Sequence, residues 1–529
     1  MNDSSIIVKC ERLTHLSLCK TPGAEFSTIR YCVAPSVQDV GRSAALPVGS
    51  VKGNLGHADC ANGHAAICKV ICALETGLIP ATLNHRDSNE EIGGLAAGRL
   101  RVVTATTPLE LRPDSVVAVN TLGLACSVGH TVLQANPRAP EPRQDPRQHV
   151  PRLVTLSAMT EELAAEVAKG IRAAPFDTNY YRLVQDAFSP SIRGYNYRSY
   201  IICPPTKEDI RLPVGEQRSV CFVYSGIGSQ WPGMATDLMR IPIFGETIER
   251  LHRFLEPKGV DLKNILTDEG PRAFDNILKC FLGITACQIA LTNVLVALGL
   301  APDCIVGHSV GELGCAYVDG CMTEEETILS SWARGQACND SGLVRGMMAA
   351  IGLGHKDVIS RVPANIDIAC HNSPTSCTLS GLPADVTEFT NELIAEGVFA
   401  KAVSVSGIAL HSRHIQPAAP LLRKYLQEVA PNPRPRSPKW IPTGVPPDER
   451  ECDLAKTPSA EYQSNNLLYP VFFEEALPDI PSDAIVIELA PHGLLQPLLR
   501  RSLPGRVNAP LTLRNNTNPV RFLLNAIGK

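Results

Sequence analysis

A serine between small residues, at the junction of an apolar run and a helical pattern, constrains this chain more than any other feature. It lies in residues 307–312, which read GHSVGE, after the apolar residues 304–306 and before the apolar segment 313–317. This order predicts a strand, a sharp turn with Ser309 at its apex, and a helix, because glycines on both sides let the backbone bend tightly. The free N–H groups at the start of such a helix face any charge that develops beside the serine. The segment therefore predicts a nucleophilic serine suited to an ester-linked acyl intermediate.

The composition indicates a protein of several domains with no nucleic-acid or membrane partner. The chain has 529 residues, of which 44% are hydrophobic and 19% charged, so about two to four domains are expected. A formal net charge of -4 without a dense Lys/Arg run argues against nucleic-acid binding. Residues 1–16 lack the apolar core of a signal peptide, and the longest apolar region, 284–300, is interrupted by polar residues and is too short to cross a bilayer.

The 18 cysteines are interpreted as free thiols of a protein from a reducing compartment. They are scattered singly through apolar stretches, without a C-x-x-C pair or a Cys/His cluster with zinc spacing. Examples are Cys68, Cys72, Cys280, Cys287 and Cys315. Because a free cysteine behaves as a small apolar side chain, these positions are expected to be buried. A cytoplasmic protein without a bound metal follows from this interpretation.

Changes of composition along the chain predict three regions and one inserted subdomain. Residues 1–135 alternate apolar segments with turns and contain an amphipathic helix with apolar residues at positions 67, 70, 71 and 74. Residues 136–217 begin as a connector rich in Pro and charge and continue as a short mixed region. Residues 218–529 read as a long α/β section, in which residues from about 345 to 411 follow the ferredoxin-like order β-α-β-β-α-β. His411 thus lies where the small subdomain meets the large one, a common place for ligand sites.

A series of motifs gives residues 219–526 a resemblance to the malonyl/acetyltransferase domain of animal-type fatty acid synthases and related polyketide synthases. The motifs are YSGIGSQWPGM at 224–234, GHSVGE at 307–312, WARGQ at 332–336, ACHNS at 369–373, GIALHS at 407–412 and ELAPH at 488–492. The resemblance implies an α/β acyltransferase with a hydrolase-like parallel-sheet core and an inserted ferredoxin-like subdomain. It also implies malonyl-CoA and acetyl-CoA as substrates, no bound cofactor, and a phosphopantetheinyl acyl carrier protein supplied by another domain or chain.

The same resemblance assigns roles to individual residues. Ser309 resembles the nucleophile of the family, and His411 resembles its general base, which a backbone carbonyl orients in place of a carboxylate. Arg334 occupies the position of the family's carboxylate clamp, whose planar guanidinium suits the free carboxylate of a malonyl group. The backbone N–H groups of Ile227 and Val310 match the oxyanion hole, although many relatives have glutamine where this chain has Ile227.

Further positions in these motifs are expected to shape the pocket or to be structural. Gln230 is expected to support the pocket wall. Leu410 stands beside the base, at a position that the family links to the choice of acyl group. The remaining histidines of the motifs, His308, His371 and His492, are interpreted as structural side chains.

The first region resembles a different family, the C-terminal half of a β-ketoacyl synthase. Residues 49–57, GSVKGNLGH, look like the second histidine motif of that family, with Lys52 and His57 matching its lysine and active-site histidine. The half that would carry the nucleophilic cysteine is not in the sequence, and condensation needs a thiolate. Lys52 and His57 are therefore predicted to be inactive, and a homodimer is expected only for a complete ketosynthase. Residues 152–217 resemble the linker domain that precedes the transferase in these synthases.

The sequence therefore predicts a fragment of an animal-type fatty acid synthase. Its transferase would move malonyl and acetyl groups from CoA to an acyl carrier protein through an O-acyl-Ser309 intermediate. Three alternatives stay open: a polyketide synthase acyltransferase, an acyl-CoA thioesterase or esterase, and a non-catalytic remnant. The linker segment RGY at 193–195 argues against the first, an esterase would have no use for Arg334, and a remnant would not need the full set of site residues.

Overall fold

The computed structural model describes two compact units, Met1–Gln144 and Asp145–Lys529. The described residues are 5–8, 45–56, 58, 61–87, 93–109, 116–122, 128–134, 150–174, 177–188, 194–204, 211–213, 218–403 and 405–529. His57, the Pro-rich part of the connector and the start of the segment 193–195 lie outside them.

The first unit contains a mixed sheet with the strand order β4-β2-β1-β6-β7 and a short β3–β5 pair within its described residues. In chain order its elements are β1 (Ser5–Val8), β2 (Leu46–Gly49), α1 (Lys52–Leu55), α2 (Asn62–Thr76), β3 (Leu78–Ile79), α3 (Gly93–Ala96), β4 (Leu100–Val102), β5 (Thr107–Pro108), β6 (Val116–Leu122) and β7 (Val128–Gln134). Strands β2 and β4 run parallel, and the other pairs are antiparallel.

The amphipathic helix predicted in this unit is confirmed as α2, but its buried face differs from the predicted one. The small side chains of Ala66 and Ala73, together with Val70, pack in one apolar cluster with residues of β6, whereas Ile71 is 43% exposed. Lys69 is also on the buried face, where its ammonium donates to Asn54 Oδ1 at 2.7 Å. Lys69 can thus be buried although it is charged, because its aliphatic stem packs inside and its ammonium is hydrogen-bonded. Hydrophobicity alone predicts burial of Ile71 instead.

The second unit contains a small antiparallel sheet, a parallel sheet and a second mixed sheet. In chain order its elements are β8 (Arg152–Ala158), α4 (Glu161–Ala173), α5 (Thr178–Phe188), β9 (Tyr197–Cys203), β10 (Arg211–Pro213), β11 (Val220–Tyr224), α6 (Pro242–Leu255), α7 (Leu262–Thr267), α8 (Ile277–Ala297), β12 (Cys304–Gly307), α9 (Gly311–Val318), α10 (Glu324–Asp340), β13 (Met347–Ile351), α11 (His355–Val358), β14 (Asp367–Ser373), β15 (Ser376–Gly381), α12 (Pro383–Ala395), β16 (Ala400–Val403), α13 (Ala419–Val429), β17 (Trp440–Ile441), α14 (Ala460–Leu468), β18 (Val471–Phe472), β19 (Ile485–Leu489), α15 (Gln496–Ser502), β20 (Val507–Pro510) and α16 (Pro519–Gly528).

The parallel sheet forms the core and has the strand order β17-β12-β11-β19-β20. Its central strands are almost wholly buried, as expected for parallel strands covered on both faces. Helix α8 packs against α6, α9 and α10 and contributes a long series of buried side chains to the same core. This arrangement agrees with the expected hydrolase-like parallel-sheet core.

The prediction that the longest apolar region is too short to cross a bilayer is wrong, because this region belongs to the longer helix α8. It has 21 residues, begins before the predicted apolar region, and is the one helix among the described residues that is long and apolar enough to cross a membrane. However, 83% of its most apolar stretch is buried inside the unit. Thr285, Gln288 and Thr292 are buried with it, and Gln288 Nε2 donates to the carbonyl of Ser225 at 2.7 Å. These are the features of a core helix.

The inserted subdomain has the predicted ferredoxin-like topology. Its strands pair in the order β16-β13-β15-β14, all antiparallel, with α11 and α12 in the connections. Strand β18 then joins parallel to β14, so a segment from later in the chain extends this sheet. Val386, Phe389 and Leu393 of α12 are buried in the subdomain core, which places the predicted face of that helix inward.

Among the described residues, the predicted burial of the cysteines holds in the second unit except at the half-buried Cys452, and it fails at two positions in the first unit. Cys280, Cys287 and Cys315 are buried, whereas Cys68 and Cys72 on α2 are exposed. These two thiols are four residues apart, on the side of α2 that faces away from Ala66 and Val70. A scattered pattern of cysteines therefore does not by itself determine which helix face they occupy.

We expect the fully buried Leu291 in α8 to contribute strongly to the free energy of unfolding of the second unit. Leu291→Ala should lower the free energy of unfolding by about 2–5 kcal/mol, because it removes buried methyl groups and leaves a cavity. The matched variant Leu298→Ala, at a site that is 55% exposed, should change it by less than about 0.5 kcal/mol. Urea unfolding followed by tryptophan fluorescence reports on this unit alone, since Trp231, Trp332 and Trp440 all lie in it. Equal effects of the two variants on the free energy of unfolding would contradict the placement of Leu291 in the core and of Leu298 at the surface.

Candidate active site

The turn after β12 holds Ser309 in the conformation predicted for a nucleophile. Strand β12 ends at Gly307, Ser309 has a positive φ of 55°, and α9 begins at Gly311. A Cβ on Gly311 would lie 2.2 Å from the carbonyl oxygen of Tyr224 in β11, so only glycine fits there. The close approach of α9 to β11 therefore forces the strained serine conformation at the turn.

His411 lies directly against this serine and is oriented as a general base. Its Nε2 is 2.7 Å from Ser309 Oγ, and its Nδ1 is 2.9 Å from the backbone carbonyl oxygen of Tyr469. Since a carbonyl oxygen only accepts, Nδ1 must carry the proton, and Nε2 then accepts from the serine hydroxyl. Burial lowers the pKa of His411 to about 3, which keeps the imidazole neutral. The pair can transfer a proton from Ser309 to His411.

Arg334 is fully buried on α10 and is held by polar groups of α14. Its Nη2 donates to Asn466 Oδ1 at 2.8 Å and to the side-chain and backbone oxygens of Gln463. Burial lowers its pKa to about 10, so the guanidinium remains charged at neutral pH. Its Nε and Nη1 are buried and have no hydrogen-bond partner among the described residues. Unpartnered donors on a buried cation suit an anionic ligand.

Glu312 is a buried carboxylate of the serine motif that the sequence analysis did not single out. It accepts from the Thr443 N–H at 2.7 Å, from the Tyr462 hydroxyl at 2.6 Å and from Asn466 Nδ2 at 3.0 Å. Burial raises its pKa, while the bonds from Thr443 and Tyr462 and the charge of Arg334 oppose that shift. Asn466 therefore bridges Glu312 and Arg334. Its position within GHSVGE was the available signal for Glu312, but nothing near Gln463 or Asn466 indicated their roles.

The two proposed oxyanion donors are unused among the described residues. None of the hydrogen bonds formed there is donated by the backbone N–H of Ile227 or of Val310. Gln230 supports the loop of Ile227, because its Oε1 accepts from the Gly228 N–H at 2.7 Å. Arg514 holds the same loop by donating to the carbonyl of Gln230 at 2.9 Å. These bonds hold the loop of Ile227, which lines the cavity at Ser309, and the N–H groups of Ile227 and Val310 stay the predicted oxyanion donors.

A cavity of about 260 Å³ opens at Ser309 and His411. Its wall includes Ile227, Leu410 and the guanidinium-bearing Arg501, besides mainly apolar side chains of the ferredoxin-like sheet and of α15. Arg334 and Gln230 are not among its lining residues. The cavity can thus hold an acyl group beside the serine.

Of the remaining predicted residues, His308 lies next to this serine, and the others lie elsewhere or outside the described part. His308 lines the cavity wall, bonds Asn372 Oδ1 at 2.9 Å, and has its pKa lowered by burial. His492 Nδ1 accepts from the Arg514 N–H at 3.1 Å. Lys52 lies on α1 of the first unit, and His57 is outside the described residues, so the predicted inactivity of this pair stays a prediction.

Comparisons with known proteins identify the family. A model of the acyl transferase domain matches residues 221–527, and the chain belongs to the acyl transferase domain family. Models of the β-ketoacyl synthase C-terminal domain and of the ketoacyl-synthetase C-terminal extension match residues 24–86 and 89–202. Residues 221–527 are therefore an acyltransferase domain, preceded in the chain by a ketosynthase C-terminal domain and its extension.

The similar curated proteins are polyketide synthases much longer than this chain. Highly reducing polyketide synthase sdnO of Sordaria araneosa is 30% identical over 515 residues, which cover 87% of this chain and 16% of the relative. Low-reducing polyketide synthase drtA of Aspergillus calidoustus is 30% identical over 513 residues, which cover 87% and 21%. The chain thus has a polyketide-synthase-like domain order, and the animal-type fatty acid synthase stays a prediction.

Solved acyltransferase structures share the fold. The acyl transferase domain of SpnD, in complex with 2-(pent-4-yn-1-yl)malonyl, has a TM-score of 0.61 and 21% identity, and the match covers 72% of this chain and 95% of that one. The acyltransferase domain from module 8 of the salinomycin polyketide synthase has a TM-score of 0.59 and 22% identity, with 72% and 95% covered. These matches confirm the predicted fold class.

The low pKa of His411 predicts an acylation rate that is insensitive to mild acid. Because the imidazole is neutral above a pKa of about 3, acylation of Ser309 at saturating acyl-CoA should be nearly constant from about pH 7.5 to about pH 5. Rapid-quench measurement of the acyl-enzyme checks this. A rate that halves near the ordinary histidine value of about 6.5 would contradict it.

The control for this experiment is the folded fraction at each pH. The pKa of His411 is lower in the folded than in the unfolded chain, so the unfolded chain binds the extra proton. The contribution of His411 to stability is therefore complete above about pH 6.5 and decreases as the pH falls toward the folded value. Circular dichroism at each pH separates such unfolding from a loss of base catalysis.

Proposed function

We propose that the second unit loads malonyl groups from CoA onto Ser309 and passes them to a phosphopantetheinyl carrier, as the acyltransferase of a polyketide-synthase-like enzyme. The observation that carries this proposal is the Ser309–His411 contact at 2.7 Å, with Nδ1 of the base directed to the Tyr469 carbonyl. The similarity to the two polyketide synthases described above supports a polyketide-synthase-like enzyme over a fatty acid synthase. A carrier on another domain or chain and a cytoplasmic location are parts of the same proposal.

The first half of the reaction acylates the serine. His411 Nε2 takes the hydroxyl proton while Ser309 Oγ forms a bond to the thioester carbonyl carbon. The carbonyl oxygen becomes an oxyanion that the N–H groups of Ile227 and Val310 can bind, each typically worth about 3 kcal/mol. When the C–S bond breaks, the proton on Nε2 goes to the departing CoA thiolate.

The second half repeats these steps with the carrier thiol as the nucleophile. His411 accepts the proton of that thiol, the thiol sulfur attacks the ester, and Ser309 leaves with the proton returned from Nε2. Hydrolysis would need water in place of the thiol at the same position. The mainly apolar wall of the cavity at Ser309 supports transfer over hydrolysis.

Arg334 supports the choice of a malonyl group over a neutral acyl group. Hydrogen bonds to Gln463 and Asn466 hold the guanidinium in place. Its Nε and Nη1 have no hydrogen-bond partner among the described residues. A free carboxylate of the acyl group can accept from such donors, and an acetyl group cannot. Since Arg334 is fully buried and does not line the cavity, this role requires the site to open toward Arg334 when a malonyl group binds.

A second candidate is the malonyl/acetyltransferase of an animal-type fatty acid synthase. Such an enzyme would load acetyl and malonyl groups alike. Leu410 supports it, because this aliphatic side chain lines the cavity beside the base and does not exclude acetyl. The ratio of acetyl to malonyl loading therefore distinguishes the two candidates.

Acyl loading can be measured directly on the purified chain. Incubation with malonyl-CoA, without a carrier, should add one malonyl group to the peptide that contains Ser309, as seen by intact and peptide mass spectrometry. Ser309→Ala should abolish the adduct, and His411→Ala should slow its formation by about 10²- to 10⁴-fold. Release of free malonate without an accumulating adduct would instead identify a hydrolase, and no adduct from folded protein would identify a remnant.

Arg334 is tested in the same assay by comparing two acyl groups. Arg334→Ala should lower malonyl loading about 10- to 100-fold, because a hydrogen bond to a charged group contributes roughly 1.5–3 kcal/mol. Acetyl loading by the same variant serves as its internal control, and Arg334→Lys tests whether charge without the planar fork suffices. Equal losses for both acyl groups would show a structural role and contradict the clamp.

A further inference from the structure

A cluster of two histidines and a glutamate lies on the ferredoxin-like sheet, outside the Ser309 cavity. His355 begins α11, His371 is on β14, and Glu475 is in the 3-10 helix Glu474–Asp479 that follows β18. These residues are far apart in sequence, so no short spacing indicates a site, and the sequence predicted a structural His371 and no metal. Pairing of β18 with β14 brings them together.

The donor atoms of this cluster are close enough for one ion. One ligand atom of each residue lies within 4.8 Å of the other two, with 2.7 Å from His371 Nδ1 and 3.8 Å from His355 Nε2 to Glu475 Oε1. Donors bound to one tetrahedral Zn²⁺ at its usual bond lengths are about 3.3 Å apart. Side-chain rotations that tilt the two rings toward Glu475 would therefore convert the cluster into a coordination set.

The surroundings of the cluster also match those of metal sites. The other ring nitrogen of His355, Nδ1, is 3.3 Å from Glu474 Oε2, which is the outer carboxylate that commonly fixes the tautomer of a ligating histidine. The second oxygen of Glu475, Oε2, is buried without a hydrogen-bond partner among the described residues. The side chains are 12% to 21% exposed, so an ion can enter from solvent.

We propose that His355, His371 and Glu475 bind one divalent transition-metal ion, with Zn²⁺ as the best match. Two imidazole nitrogens and one carboxylate are borderline ligands that suit Zn²⁺ over Mg²⁺ or Ca²⁺, which prefer oxygen alone. Three protein ligands leave a fourth position for water or another small ligand. The imidazole rings are stacked in parallel with centroids 3.7 Å apart, so binding of one ion requires the rings to turn until both nitrogen lone pairs point at it.

The ion would stabilise the back of the acyl cavity. Asn372 follows His371 on β14 and points to the opposite face of the strand, where it lines the cavity and bonds His308. A metal bound to His371 would therefore join α11, β14 and the segment after β18 behind that wall. This role is structural and is independent of the chemistry proposed for Ser309.

Metal binding is tested on the tag-free full chain after removal of metal with a chelator. Titration with Zn²⁺ should show one site per chain, and Zn²⁺ should raise the melting temperature. His371→Gln and Glu475→Gln should weaken binding by more than about 100-fold, and Glu474→Gln by about 10- to 100-fold. His252→Gln is the matched control, because His252 also faces two carboxylates, Glu256 and Asp261, but belongs to no such three-ligand group in the described part of the chain.

Co²⁺ as a visible probe distinguishes this site from the cysteines. Absorption typical of four or five nitrogen and oxygen ligands, lost in His371→Gln, would support the proposal. A thiolate charge-transfer band would place the metal on cysteines and overturn it. Absence of stoichiometric Zn²⁺ binding by the wild-type chain, or equal affinity of wild type and a folded His371→Gln, would also overturn it.

Discussion

The close packing of α9 on β11 is the constraint on which the rest of the acyltransferase site depends. Cβ atoms at Gly311 and Gly314 would lie 2.2 Å from the Tyr224 carbonyl oxygen and 2.4 Å from its ring. Because Gly311 and Gly314 have no side chains, α9 can lie directly against β11. The chain must then turn sharply at His308 and Ser309, between β12 and α9. Ser309 is therefore presented by backbone geometry, before any other residue of the site contributes.

Burial then sets the electrostatics of the site. It keeps His411 neutral with a pKa of about 3 and lowers the pKa of Arg334 to about 10, without neutralising the latter at physiological pH. Glu312, which accepts three hydrogen bonds in the same region, opposes the positive charge of Arg334. A neutral base beside a retained cation is the combination needed to acylate a serine with an anionic acyl group.

Several parts of the structure were predictable because local patterns carry them. The strand-turn-helix around Ser309 and the β-α-β-β-α-β insertion depend on short-range periodicity and glycine placement, and both are confirmed. The exposed Cys68 and Cys72 and the buried Lys69 were not predicted, because the buried face of α2 depends on which side chains fit against β6. Likewise, hydrophobicity and polar interruptions did not reveal that α8 is the buried core helix of the unit.

The sequence by itself determined the nucleophile motif, the order of elements in both subdomains and the candidates Ser309, His411 and Arg334, since each depends on neighbouring residues or on a family motif. Only the tertiary structure decided their partners. Gln463 and Asn466 reach Arg334, and Glu475 reaches His371, across more than a hundred positions, because strand pairing and helix packing, not sequence spacing, bring distant segments together.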